Sequence, residues 1–165
     1  MKRTKCLLVG CGMMGGALKQ GWETVEAPFE VVVIDPSNLE YLPDLKSLPE
    51  DYVPDLVIFA IKPQMFPNIL PSYKHFSQKG CLFVSMAAGV NLDYYHKILG
   101  EEAHIIRAMP NLPVTVGQGM AALVTRSPLD EKQRALGAAI FEVSGKAIWL
   151  EKESLIDVVT AISGS

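Results

Sequence analysis

Cys6-Leu7-Leu8-Val9-Gly10-Cys11-Gly12-Met13-Met14-Gly15-Gly16 carries a short apolar run straight into G-x-G-x-x-G. A strand, a glycine turn and a helix start in that order open a βαβ unit that binds a dinucleotide. Each glycine has its own task. Gly10 permits the tight turn, Gly12 lets the backbone approach a pyrophosphate, and Gly15 lets helix and strand pack closely. The helix predicted over Met13–Glu23 points its free N–H groups and positive dipole end at the phosphates. Asp35 stands twenty residues beyond Gly15, at the end of the second apolar run. A carboxylate there accepts hydrogen bonds from the adenosine ribose and repels a 2′-phosphate. Glycine-rich turns are common, and it is these flanks that turn the motif into a dinucleotide cradle. Asp35-Pro36-Ser37-Asn38 also supplies a hydroxyl and an amide that could hold a phosphate if Asp35 turned away, and a further reading of Asp35 is a turn residue before Pro36.

Outward from this opening, the apolar runs Val31–Ile34, Leu56–Ile61, Leu82–Val84 and Ile105–Ala108 are continuous rather than alternating. Strands buried on both faces of a parallel sheet read this way. Helical patterns at Phe66–His75 and Leu92–Leu99 lie between them. The series predicts an α/β fold: a doubly wound, Rossmann-type, mainly parallel sheet with helices on both faces and the ligand outside the carboxyl ends of its strands. The stretch from Asn38 to Pro54 carries Pro43, Pro49 and Pro54, and reads as a short helix or turn with a brief strand near Leu45–Leu48. Past Pro113 the pattern gives a strand at Met120–Thr125 and a helix from Asp130 to Val143, with Ser127–Asp130 as its cap. A strand at Ala147–Leu150 and a last helix from about Lys152 follow. That helix is heavily apolar at Leu155, Ile156, Val158, Val159 and Ile162, which calls for packing on the domain itself, on a second domain or on a partner.

At 165 residues the chain is about one domain with a real core. Its net charge of −3, with acids and bases interspersed, argues against nucleic acid or a membrane surface as partner. No apolar run approaches the roughly 18 residues of a membrane span. Lys2, Arg3 and Lys5 ahead of Leu8-Val9-Gly10-Cys11 imitate an export signal, but the apolar stretch is short of the ~7–15 residues required, and a cytoplasmic chain is expected. Cys6, Cys11 and Cys81 form no C-x-x-C pair, so no metal site is expected. Cys6 and Cys81 read as core residues, and Cys11 as a spacer in the turn or a thiol made reactive by the helix N-terminus. His75, His96 and His104 have no obvious catalytic partner, and no serine or cysteine sits in a nucleophile elbow. A bound cofactor then carries the chemistry.

Three further segments leave strands on the ligand side. Ala60-Ile61-Lys62-Pro63 offers backbone contact, with Pro63 at a favoured first helical position. Lys62 is either a point charge for ribose or phosphate oxygens or merely solvated. Ser85-Met86-Ala87-Ala88-Gly89 is small enough for a flat nicotinamide ring to lie against its backbone. Arg107-Ala108-Met109-Pro110-Asn111-Leu112-Pro113 is stiffened by prolines on both sides of Asn111. Asn111 either hydrogen-bonds cofactor or substrate, or simply holds a turn.

Taken together, Gly10–Gly16, Ala60–Pro63, Ser85–Val90, Arg107–Pro113 with Gly117 and Gly119, and the closing Ala161-Ile162-Ser163-Gly164-Ser165 resemble pyrroline-5-carboxylate reductase across the whole chain. The resemblance implies hydride transfer from NAD(P)H to the carbon–nitrogen double bond of 1-pyrroline-5-carboxylate, giving L-proline. It places the cofactor against Val9, Gly10, Cys11, Gly12, Met13, Met14, Gly15, Asp35, Pro36, Ser37, Ala60, Ile61, Lys62, Pro63, Ala87, Ala88 and Gly89. Met109, Pro110 and Asn111 border the nicotinamide. Asp35 leans towards NAD, while family usage allows NADP. Leu112 stands where the family usually has threonine. The family also continues past Ser-Gly-Ser into a helical domain that forms the dimer and contributes the substrate pocket and a proton-donating hydroxyl. Residues 1–150 are therefore expected to be the dinucleotide-binding domain, and 151–165 the start of the helix connecting to a dimerisation domain that this chain lacks. The catalytic group is expected in that domain, and the full-length form is expected to be a homo-oligomer. Two other readings remain: a related dehydrogenase of β-hydroxyacid or prephenate type, and a dinucleotide sensor or partner-binding module without catalysis.

Overall fold

The computed structural model describes residues 2–111 and 118–163. The readings at Leu112, Pro113, Gly117, Gly164 and Ser165 lie outside them. The strands are β1 (Thr4–Val9), β2 (Phe29–Ile34), β3 (Leu56–Phe59), β4 (Leu82–Ser85), β5 (His104–Pro110), β6 (Gly119–Val124) and β7 (Gly145–Trp149). They form one sheet in the order β2-β1-β3-β4-β5-β6-β7. The first five are mutually parallel; β6 runs antiparallel to β5, and β7 parallel to β6. This is the expected doubly wound, mainly parallel sheet.

The central strands are buried on both faces, and successive side chains go to opposite cores. Cys6, Leu8, Leu56, Ile58, Leu82 and Val84 pack against α1 (Met13–Thr24) and α5 (Glu131–Glu142) through Leu18, Trp22, Ile140 and Phe141. The Trp22 indole donates to the Ile140 carbonyl at 2.9 Å and ties the two helices together. Leu7, Val9, Val57, Phe59, Phe83 and Ile105 face the other core. That side is covered by α2 (Phe66–Ile69), α3 (Lys74–Ser77), α4 (Leu92–Leu99) and α6 (Ser154–Ser163). Each fully buried Phe or Leu side chain contributes roughly 1.5–3 kcal/mol.

Three local expectations change. The helix expected over Phe66–His75 is three short pieces, α2, a 3-10 turn at Leu70–Tyr73 and α3, preceded by a 3-10 turn at Pro63–Met65. Pro67 and Pro71 each remove a backbone donor, so the regular ladder cannot run through. Near Leu45–Leu48 there is no strand but a 3-10 turn, Leu45–Ser47, with the Asp44 side chain accepting from the Ser47 N–H. The pairing there comes earlier, where Leu42 bridges Ile34 at the edge of β2. The strand expected over Leu56–Ile61 stops at Phe59, which leaves Ala60 and Ile61 as turn. The cap of α5 is Asp130 itself, in a reciprocal box with Gln133.

The last helix divides its apolar surface. Ile156 is buried in the core, whereas Leu155, Val158 and Ile162 are exposed. The domain thus covers only part of the α6 face. Among the described residues, no helix is long and apolar enough to cross a membrane.

Candidate functional site: a cleft at the carboxyl ends of the strands

Strand β1 lies between β2 and β3, so the chain leaves it in one direction and returns on the other side. Such a reversal opens a crevice above the strand ends. A cleft of about 680 Å³ occupies that place, inside the roughly 300–1,000 Å³ usual for small-molecule sites. Val9, Gly10, Cys11, Gly12, Asp35, Pro36, Ser37, Ala60, Ile61 and Lys62 line it, ten of the residues expected from sequence.

The glycine turn is built by close approach. Gly10 has φ +90°, and a Cβ on it would sit 2.5 Å from the Ala60 carbonyl oxygen. A Cβ on Gly15 would lie 2.6 Å from the Gly10 carbonyl oxygen and 3.2 Å from the Ala60 Cβ, so helix α1 is seated directly on the turn. Gly12 differs: nothing stands within 4 Å of its Cβ position, which faces the open cleft. The first-turn N–H groups of α1 have no intrahelical acceptors. The turn is therefore closed by protein beneath and open to an anion above, which is the geometry a pyrophosphate needs.

Asp35 closes β2 and is bound to this turn. Its Oδ2 accepts from the Cys11 N–H at 2.9 Å. Its Oδ1 accepts from the Ser37 N–H at 2.9 Å and from the Ser37 hydroxyl at 2.6 Å. Partial burial pushes the carboxyl pKa up, but the Ser37 hydroxyl and the Cys11 and Ser37 amides outweigh it and hold Asp35 below its ordinary range. It is a fixed negative charge at neutral pH. The competing reading as a turn residue is also satisfied, since the same carboxylate organises residues 35–38.

Ten expected site residues do not line the cleft. Met13 is highly exposed at the start of α1, Met14 packs on the α1-side core, and Gly15 is buried under the turn. Pro63 opens its 3-10 turn in an exposed position. Ala87, Ala88 and Gly89 follow β4, with Ala87 buried and the other two exposed. Met109 and Pro110 end β5, half-buried. Asn111 spends its side-chain oxygen on the Met120 N–H at 3.0 Å, while its own N–H donates to the Met120 carbonyl. That oxygen prolongs the β5–β6 ladder. All three segments leave parallel strands at the same end of the sheet as the cleft, alongside β3.

Sequence reading missed the far wall. Pro43, Leu45, Lys46, Met65, Asn68, Ile69, Ser72 and Tyr73 line the cleft beyond Asp35. Pro43, Leu45 and Lys46 come from the proline-rich segment with its weak periodicity, and Met65 to Tyr73 from the stretch around the expected Phe66–His75 helix, where nothing in the pattern marked a cleft-lining face. Among the described residues, no group of three His, Cys, Asp or Glu can hold a metal.

A seven-stranded, mostly parallel sheet with this glycine turn is a Rossmann-type dinucleotide-binding fold. No family model matches the sequence. The pyrroline-5-carboxylate reductase of Methanosarcina acetivorans is 31% identical over 182 residues, covering 100% of this chain and 65% of that protein. The NADP-bound crystal structure of the Plasmodium falciparum pyrroline carboxylate reductase superposes at a TM-score of 0.86 and 26% identity, over 99% of this chain and 63% of that one. The chain is related to the pyrroline-5-carboxylate reductases and corresponds to their N-terminal part. It spans about three fifths of the length of the curated relatives it matches. A prephenate dehydrogenase from A. aeolicus, at a TM-score of 0.77 and 16% identity over 97% of this chain and 64% of that one, shares the fold.

Proposed function

We propose that this chain is the cofactor-holding part of a pyrroline-5-carboxylate reductase, which reduces 1-pyrroline-5-carboxylate to L-proline in the cytoplasm. The observation that carries this reading is the open Gly12 position above a turn sealed by Gly10 and Gly15, in a chain related to these reductases along its whole length. A bound nicotinamide dinucleotide supplies the hydride. Gly12 and the α1 N-terminus would hold the pyrophosphate, the Asp35–Ser37 corner the adenosine ribose, and Ala60–Pro63 the wall between them. Ala87–Gly89, with Met109 to Asn111 beside them, would border the nicotinamide. Alignment of donor and acceptor carbons and exclusion of water supply much of the acceleration. Residues 1–150 would form this half of the site. Residues from 151 would lead into a helical domain that completes the substrate pocket, carries the proton donor and forms a homo-oligomer. Mixing this chain with the separately produced C-terminal part of a related reductase is expected to give 1-pyrroline-5-carboxylate-dependent oxidation of NADH or NADPH. No turnover from a well-folded pair counts against the reading.

The ribose corner favours NADH over NADPH. Every backbone donor of residues 35–38 is spent: the Asp35 N–H on Leu42 O, the Ser37 N–H on Asp35 Oδ1 and the Asn38 N–H on Asp35 O, while Pro36 has none. The Ser37 hydroxyl and the Cys11 N–H are spent on the same carboxylate. A 2′-phosphate there meets an anion and no free backbone donor from this turn, with the Asn38 side-chain amide as the one polar donor left in it, whereas a ribose hydroxyl can still donate to a remaining carboxylate lone pair. Asp35→Ala removes the charge and frees Ser37 and Cys11. The ratio of NADH to NADPH affinity, read by calorimetry, is expected to shift towards NADPH by about tenfold or more, roughly 1.4 kcal/mol. An unchanged ratio places the ribose elsewhere.

A further inference from the structure

The loop between β4 and α4 carries Ala87–Gly89, and polar side chains hold both of its ends. At the first, the Ala87 N–H donates to Ser85 Oγ at 3.3 Å, and Ser85 Oγ pairs with the Tyr95 hydroxyl at 2.5 Å. At the second, the Leu92 N–H donates to Glu153 Oε1 at 2.7 Å. Arg107, the β4–β5 register partner of Ser85, is only 5% exposed and donates through Nη1 to that same Glu153 oxygen at 3.0 Å, so the two ends are held by side chains from adjacent strand positions. Its Nη2 reaches Asp157 on α6 at 3.4 Å. Tyr95 is fully buried, edge-on to Phe66 at 5.4 Å between ring centroids. Burial pushes its hydroxyl pKa far up, while the Ser85 hydrogen bond and the Arg107 charge act against that rise.

A buried hydroxyl pair and a buried guanidinium are costly unless fully partnered. Apolar side chains at Ser85, Tyr95 and Arg107 would fill the same core without that cost. What the polar set provides and an apolar core does not is a set of directional ties on the backbone at Ala87 and Leu92. Above those ties stand the exposed Ala88 and Gly89, where Gly89 has φ +75° and nothing within 4 Å of its Cβ position. The sheet order fixes which part of a dinucleotide reaches this point. With adenosine at the end of β2 and pyrophosphate over β1, the far half crosses β3 and arrives at the end of β4.

We propose that Ser85, Tyr95, Arg107 and Glu153 form a positioning unit that sets the height of the 86–91 backbone as a shelf for the nicotinamide half of the cofactor. These residues touch the loop rather than the cofactor. Because Glu153 precedes α6 and Asp157 lies on it, the shelf is formed only when α6 is docked on the sheet. The inference rests on the cofactor-holding reading above and assigns one half of the dinucleotide to one network.

The test compares NADH with ADP-ribose, which keeps the adenosine and pyrophosphate but lacks the nicotinamide. Tyr95→Phe keeps the ring and removes one hydroxyl; Glu153→Gln keeps an acceptor for the Leu92 N–H and removes the charge facing Arg107. For each variant, calorimetry is expected to show NADH affinity lowered about tenfold and ADP-ribose affinity unchanged. Equal losses for both ligands would mean that the network only supports the fold, and unchanged NADH affinity would mean that it does not set the shelf. Ser85→Ala keeps the test decisive if either variant unfolds. If the unaltered chain binds NADH no more tightly than ADP-ribose, the shelf assignment fails while the cradle stands. If it binds neither, the cofactor-holding reading itself fails.

Discussion

Gly12→Asp is expected to abolish dinucleotide binding while leaving the unfolding temperature unchanged or slightly raised. Gly12 is the N-cap of α1 and makes no side-chain cap bond. Its φ of −76° imposes no left-handed strain, and its Cβ position is open. Aspartate is a preferred N-cap, and its charge interacts favourably with the positive end of the helix dipole, which offsets the cost of replacing glycine at this backbone angle. The same carboxylate would occupy the approach reserved for the pyrophosphate and repel it. A loss of at least about a thousandfold in NADH affinity, roughly 4 kcal/mol, is expected by calorimetry. Binding within tenfold of the unaltered chain would show that the phosphates lie elsewhere.

Gly10→Ala is expected to act in the opposite way, through the fold. Its added methyl meets the Ala60 carbonyl oxygen at 2.5 Å and the Ile61 side chain at 2.9 Å, on a backbone held at φ +90°. Neither carbonyl nor strand end can withdraw, because the Ala60 N–H is bonded to Val9 O and the Gly10 N–H to Ile34 O, both at 2.8 Å. Left-handed strain and overpacking together cost at least about 3 kcal/mol. Thermal unfolding is then expected to fall by roughly 6–12 °C, and binding to fall with it. Two glycines in one turn thus separate on two measurements. A Gly10→Ala protein as stable as the original would mean that the turn is not built on Ala60.

The turn itself was legible in sequence because its physics is local. Strand, glycine spacing and helix start lie within a dozen residues; Gly10 and Gly15 are required by contacts inside the motif or with the next strand, and Gly12 leaves the cleft side open. The continuous apolar runs likewise revealed buried parallel strands, and the Asp130 cap of α5 was readable from its own tetrapeptide. What escaped is non-local. The antiparallel entry of β6 leaves no periodicity signature, since direction in a sheet is set by the path of the chain and not by side-chain pattern. Pro67 and Pro71 interrupt a pattern that is otherwise helical, and the apolar spacing hid the breaks. The far wall of the cleft comes from two separate stretches, Pro43–Lys46 held beside β2 by the Leu42 pairing and Met65–Tyr73 after β3, which nothing local brings together. Asn111 was readable as a conformational or a binding residue, and only its pairing with Met120 decides how its oxygen is used. Arg107 and Glu153 are 46 residues apart, and nothing in either segment announces the other. Asp35 was legible as an acid at a strand end, but its bond to the Cys11 amide, which ties the β2 end to the glycine turn, was not.

The most direct test of the central claim is calorimetric titration of NADH into the unaltered chain and into Gly12→Asp, each checked for folding by thermal melt. One NADH bound per unaltered chain, and none detectable in the equally stable variant, is the predicted result. No NADH or NADPH bound by a folded unaltered chain, or equal binding by the two proteins, would contradict the account.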